Sequence, residues 1–230
     1  MKIEKHYVEE EYVMNKKQKW EHYWEYYKWH TIVAIIILCT IVTTVIELMN
    51  KVEPDYILGF ISPQYISDEV LDEMEEQISQ YGLDINNDGE VITSIYFYQL
   101  DYDDTSAMEN ITANTTRLYA DLSGDEVFIY IVDGINTYSH IIESGFEDVD
   151  GNLLESYSKT GVEADETLYG YAFADTQIFD GISYYGNDIY DYFGESRVMI
   201  VSDIHYEDSK DDVKQLYQDN LELYNKILEN

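Results

Sequence analysis

The most apolar stretch of the chain is residues 32–46, IVAIIILCTIVTTVI, which carries no charge. With Thr31 before it and Glu47, Leu48 and Met49 after it, it reaches the roughly 20 residues that span a bilayer core. The pattern predicts a transmembrane helix over 31–49. A cleaved signal peptide fits less well, because a long polar segment precedes the run and no small-x-small cleavage site follows it. Just upstream, KWEHYWEYYKWH places Trp20, Tyr23, Trp24 and Tyr27 at i, i+3, i+4 and i+7. That is one helical face, and indole and phenol rings suit the headgroup layer. A helix that docks a cytoplasmic partner would show the same face.

Beyond a short stalk, 50–55, the hydrophobic period alternates between two types. Tyr56 to Ile61 (YILGFI) reads as a strand. Asp68 to Tyr81 reads as a helix with Val70, Leu71, Met74, Ile78 and Tyr81 inward, stopped by Gly82. Val91 to Leu100 is a second strand. Ser106 and Glu109 have capping-box spacing and open a helix with the face Met108, Ile111, Thr115, Leu118, Tyr119 and Leu122, ended by Gly124. VFIYIV, Val127 to Val132, is apolar at every position, as in a strand buried on both faces. Strand, helix, strand, helix, strand implies right-handed crossovers and a largely parallel sheet. Residues 134–195 hold two weaker strand patterns, TYSHII and TLYGYAFA, among glycine and acidic turns. Arg197 to Val201 restores a strand. A last helix, Asp211 to Leu228, carries the stripe Val213, Leu216, Tyr217, Leu221, Tyr224 and Leu228, with Ser209 and Asp212 placed to cap it. The expected fold class is α/β: an N-terminal transmembrane helix, then a three-layer domain over 56–230 with a mostly parallel sheet.

Charge orients this plan. Lys16, Lys17, Lys19 and Lys28 precede the apolar run, whereas Lys51 alone follows it among Glu47, Glu53 and Asp55. The positive-inside rule therefore expects residues 1–30 in the cytoplasm and the domain outside the cell membrane. Of the 47 acids and 13 bases in the chain, 40 acids and 7 bases lie beyond residue 50. Such a surface repels phosphate and excludes nucleic acid as a partner. The single cysteine, Cys39, lies inside the apolar run, so no disulfide forms within the chain.

Three features bear on chemistry. In DINNDGEV, Asp84, Asn86 and Asp88 fall at positions 1, 3 and 5 of a calcium loop, Gly89 at the turn and the Glu90 carbonyl at position 7. Alternating oxygen donors suit calcium; the same residues also favour simple Asx turns. Ser62, Asp101, Asp133 and Asp203 each follow an expected strand, and ligands of open parallel sheets bind beyond strand carboxyl ends. Aspartates there also simply start turns. YYGNDIYDYFG, Tyr184 to Gly194, sets rings beside Asn187, Asp188 and Asp191, a composition for carbohydrate stacking or for ordinary packing. DVDG, Asp148 to Gly151, is too short for a metal site. HExxH, GxSxG and phosphate-binding glycine loops are missing, and the outer domain has only His140 and His205 and no cysteine. A carboxylate-pair glycosidase, whose two acids need no fixed spacing, stays open.

The calcium-like stretch resembles the first half of an EF-hand or dockerin loop, but Ile95 occupies position 12 and a strand follows where a helix is required. It is more similar to the helix-loop-strand calcium loop of the galactose-binding-protein type, which takes its closing carboxylate from elsewhere and has a polar position 9 where this chain has Ile92. The order of basic aromatic segment, apolar run, strand, helix and DINNDGEV resembles uncharacterised single-pass membrane proteins of Gram-positive bacteria. RLYADLSGDEVFIYIVD, within 106–133, is similar to a helix, Gly-Asp turn and strand of extracellular solute-binding proteins. The last resemblance implies a ligand-binding lobe without naming a ligand; with the apolar run and the acidic strand ends, the expectation is a membrane-anchored extracytoplasmic domain that binds a small molecule or sugar, or a membrane or envelope protein. A glycan hydrolase and a structural subunit of a membrane complex are the alternatives.

Overall fold

The computed structural model describes residues 15–49, 53–101, 105–133, 145–147, 149, 153–154, 170–206 and 209–229. TYSHII, most of DVDG, His140 and residues 50–52 of the stalk lie outside them. The chain divides into two units, Met1–Val52 and Glu53–Asn230.

In the first unit, α1 (Lys16–Met49) is one helix of 34 residues, so the expected boundary at residue 30 falls inside it. Its apolar part is long enough to cross a membrane. Trp20 stacks on Tyr23 and Trp24 with ring centres 6.0 and 6.4 Å apart, and Tyr23 on Tyr27 at 5.5 Å. The rings thus form the ladder that their spacing predicts. The Tyr23 hydroxyl and the Thr31 Oγ1 share a hydrogen bond of 2.7 Å, tying the ladder to the first apolar turn.

The second unit is built on a five-stranded sheet. Its strands are β1 (Tyr56–Ser62), β2 (Thr93–Gln99), β3 (Val127–Val132), β4 (Tyr171–Ala172) and β7 (Arg197–Ile200), in the order β2-β1-β3-β7-β4. A separate hairpin holds β5 (Ser183–Tyr184) and β6 (Asn187–Asp188). The helices are α2 (Asp68–Ser79), α3 (Met108–Leu122), the single turn α4 (Tyr190–Phe193) and α5 (Asp211–Glu229). β1 pairs in parallel with both β2 and β3. β7 is antiparallel to β3 and to β4, so it alone runs against the other four strands. The sheet is therefore mostly parallel.

Side chains alternate along each strand. Gly59, Ile61, Tyr96, Tyr98, Tyr130 and Val132 share one face by register; Leu58, Phe60, Ile95, Phe97, Ile129 and Ile131 share the other. α3 and α5 cover the first face: the Tyr98 hydroxyl donates to Asp121 at 2.6 Å, and Phe128 meets Tyr217 edge-on at 5.7 Å. Phe173 and Phe193 cover the second, 6.4 and 5.4 Å from Phe60. The step from β1 to β2 and the return from β2 to β3 run in opposite directions, so right-handed crossovers put α2 and α3 on opposite faces. α2 also closes the sheet edge, where Ser79 Oγ accepts from Thr93 N at 3.0 Å and Glu75 Oε1 from Ile95 N at 2.6 Å. Free strand edges invite pairing with other chains, and these two side chains occupy two of the N–H groups that would do it.

Several local readings change. Gly82 is not a left-handed helix cap; α2 ends at Ser79 and Gln80 stays right-handed. A Cβ at Gly82 would instead lie 2.7 Å from the Tyr56 ring and 2.9 Å from Val91, so the glycine permits close approach. α3 begins two residues past the expected capping serine, after a 3-10 turn Thr105–Ala107, and Met108 and Tyr119 of its expected apolar face are exposed. On α5 the buried stripe is Tyr217, Asn220, Leu223, Tyr224 and Ile227. Leu221 and Leu228 lie only at its margin.

Candidate functional site

DINNDGEV connects α2 to β2 and is folded by its own side chains. Asp84 accepts from Asp88 N at 3.2 Å and from Gly89 N at 3.0 Å; Asn86 Oδ1 accepts from Asp88 N at 2.9 Å; Asp88 Oδ1 accepts from Glu90 N at 3.0 Å. Asn87 and Gly89 take left-handed backbone, φ 60° and 98°, which lets successive N–H groups turn inward. These are nested Asx turns. A carboxylate does arrive from elsewhere, as the galactose-binding-protein type requires, but it serves the backbone. Asp55, only 4% exposed, accepts from Ile85 N at 2.8 Å, Asn86 N at 3.1 Å and Ile92 N at 2.9 Å. Ile95, at position 12, is buried in β2. Among the described residues, no three His, Cys, Asp or Glu side chains converge as a metal group.

If the loop takes calcium, the side chains of Asp84, Asn86 and Asp88 and the Glu90 carbonyl would be its donors. The expected result is that millimolar calcium raises the melting temperature of the protein and that Asp84→Ala with Asp88→Ala removes the rise. An unchanged melting curve in the wild type ends the calcium reading.

The four residues at strand ends separate. Ser62 and Asp133 meet: Ser62 Oγ donates to Asp133 Oδ2 at 2.8 Å. Ser196 Oγ donates to Asp133 Oδ1 at 3.3 Å, and Gln64 N donates to Ser62 Oγ at 3.0 Å. Ser62 and Ser196 are fully buried, and Asp133 is partly exposed. Asp101 lies just past β2 at the same end, since the preceding Leu100 N bonds to Ser62 O at 2.9 Å. Asp203 does not join them. β7 is antiparallel, so its carboxyl end lies at the amino end of β3, where Val201 N reaches Phe128 O at 2.9 Å. The expectation of four residues in one crevice had assumed that this strand also ran parallel.

Ser62 and Asp133 occupy a defined point of the topology. The strand order reverses direction between β1 and β3, with α2 on one face and α3 on the other, and in open sheets of this arrangement ligands bind beyond the carboxyl ends of the strands on either side of the reversal. The two residues terminate those two strands. Burial raises the Asp133 carboxyl above the usual carboxylate range; the two serine hydroxyls partly oppose this and Glu195 adds to it. A raised folded pKa means that folding takes up a proton, so this contribution to stability is present at low pH and is lost as pH rises through the folded pKa. Asp133→Asn is therefore expected to melt above wild type at pH 7 and together with it at pH 3, as compared by calorimetry. A variant less stable at pH 7 would contradict this.

The hairpin from YYGNDIYDYFG reaches Asp133 through Tyr184. Tyr184 is buried and its hydroxyl donates to Tyr65 O at 2.5 Å; burial raises its pKa first, then Tyr185 and Tyr192, and the Asp133 charge adds least. Tyr185 and Tyr192 pack on it with ring centres 4.5 and 4.9 Å away. Half of the stretch is thus core, including Ile189 and Phe193, and half is surface.

No protein family, curated protein or solved structure matches the chain. The site rests on its geometry. Sequence reasoning found Ser62 and Asp133 but not Ser196, which precedes a strand and carries the opposite signal to the one sought. Asp55 carries no signal either and reads as stalk, because its partners lie 30 to 37 residues away.

Proposed function

We propose that the chain is a membrane-tethered, extracytoplasmic binding domain whose ligand enters the crevice beyond β1 and β3. The observation that carries this reading is the Ser62–Asp133–Ser196 cluster at the topological switch point, the usual place for ligands of open α/β sheets. Asp133 offers a carboxylate that is partly exposed and held by two buried hydroxyls, an arrangement that accepts hydrogen bonds from a hydroxyl or amine. Its raised pKa marks a group kept at a cost to stability, as at many functional sites. The apolar helix, the four lysines before it and the acidity beyond it support the tether and its direction.

Thiol labelling tests the tether. In a Cys39→Ala background, Ser123→Cys on the exposed turn after α3 is expected to react with a membrane-impermeant maleimide in intact cells, and Gln18→Cys only after lysis. The reverse pattern, or labelling of both in intact cells, overturns the proposed topology.

A further inference from the structure

β2 is one edge of the five-stranded sheet, and its backbone groups divide by residue parity. Ile92 O and Leu100 N turn toward β1, meeting Asp55 N at 2.8 Å and Ser62 O at 2.9 Å. The N–H and C=O groups of Thr93, Ile95, Phe97 and Gln99 therefore point away from the sheet. Three of these groups meet a side chain where another strand would lie. Ser79 Oγ accepts from Thr93 N at 3.0 Å, Glu75 Oε1 accepts from Ile95 N at 2.6 Å, and Asn114 Nδ2 donates to Gln99 O at 3.0 Å. Ser79 is aimed by its own hydroxyl, which donates to Glu75 O at 2.7 Å.

The strand beneath these contacts has the composition that pairs with its own kind. Val91 to Leu100, VITSIYFYQL, carries no charge, no glycine and no proline, in a chain with 47 acids. Segments of high β-propensity and low charge add strands wherever an edge is free. Covering this one has a cost, since burial raises the Glu75 carboxyl above the usual carboxylate range; the Ile95 N–H partly opposes this and Asp72 adds to it. Water would satisfy an edge N–H without that cost, but a side chain also denies the position to another strand.

We infer that Glu75, Ser79 and Asn114 are guards that hold the β2 edge closed against β2 of a second copy of this chain. The partner follows from the topology. The sheet has two edges, and the other, β4, offers only Tyr171 and Ala172. A second copy therefore presents one edge long enough for a ladder, and two β2 strands related by a twofold axis pair antiparallel. Phe97, between the guarded residues Ile95 and Gln99, lies within that ladder.

The test compares the full chain in detergent with its Glu75→Ala/Ser79→Ala variant, by sedimentation and by amide-resolved hydrogen exchange. The double variant is expected to self-associate as its concentration rises, beyond any association of the wild type. Its Thr93, Ile95 and Phe97 amides are expected to exchange more slowly in the associated species than in dilute protein, whereas freeing the edge without pairing makes Thr93 and Ile95 faster at every concentration. Glu75→Gln, which keeps an acceptor oxygen, should stay with the wild type. A folded double variant with the wild-type oligomeric state overturns the guard. Association that leaves the Phe97 amide unprotected overturns it too, since the contact then lies elsewhere. If the double variant loses its cooperative melt, Ser79→Ala with Asn114→Ala, which leaves the carboxylate in place, is read by the same two measurements and decided by the same outcomes.

Discussion

Gly59→Ala is expected to destabilise the domain by about 3 kcal/mol or more and to lower its melting temperature by roughly 6–12 °C. β1 is a central strand, and Gly59 pairs with Tyr96 on one side and Tyr130 on the other. The Tyr130 ring lies over the glycine: a Cβ there would sit 2.3 and 2.4 Å from two of its ring carbons. The ring has little room to retreat, since Phe146 meets it edge-on at 5.4 Å and both are fully buried. Without a Cβ, a bulky aromatic can lie across the middle of the sheet. The decisive control is the double variant Gly59→Ala with Tyr130→Ala. Removing the ring removes the clash, so the double variant should be about as stable as Tyr130→Ala alone. Additive losses in chemical denaturation would show that the collision is not the cause.

Asp55→Ala carries the second large effect, a loss of about 3 kcal/mol from three backbone N–H groups left without an acceptor. The carboxylate is buried and accepts from Ile85 and Asn86, near the start of DINNDGEV, and from Ile92, just after its end. Asp55→Asn, which keeps one acceptor oxygen, should lose less. Hydrogen exchange locates the effect: the amides of Ile85, Asn86 and Ile92 should exchange faster in Asp55→Ala, while those of β3 slow or quicken only with global stability. A stability change below about 0.5 kcal/mol, or uniform exchange across the sheet, would mean that the loop does not depend on this anchor. The calcium reading meets this loop directly, because a metal would bind a framework that Asp55 already holds.

Whatever depended on local periodicity was legible in advance. VFIYIV reads as a strand buried on both faces and is one, and Val70, Leu71, Met74 and Ile78 are the buried face of α2. The parallel arrangement of β1, β2 and β3 follows from the alternation of strands and helices. The direction of β7 does not follow from any local signal, because Arg197 to Ile200 has the same apolar character whichever way it runs. That one unknown moved Asp203 to the far end of the sheet and brought Ser196 to Asp133. The α5 stripe shifted because apolar residues at Leu221 and Leu228 compete with Leu223 and Ile227, and only packing decides between such faces. The link from Asp55 to the loop was hidden for a different reason: a buried carboxylate serving distant backbone groups leaves no pattern at its own position.

Ligand binding at the Ser62–Asp133–Ser196 cluster is the proposal on which the function rests. The most direct measurement is a thermal-shift screen of small sugars, amino acids and polyamines against the full chain and its Asp133→Asn variant in parallel. Because Asp133→Asn replaces the carboxylate with a group of the same shape, the fold is retained while the charged acceptor is lost. At least one compound is expected to raise the melting temperature of the wild type and leave that of Asp133→Asn unchanged. Compounds that shift both equally, or none that shifts the wild type, would contradict it.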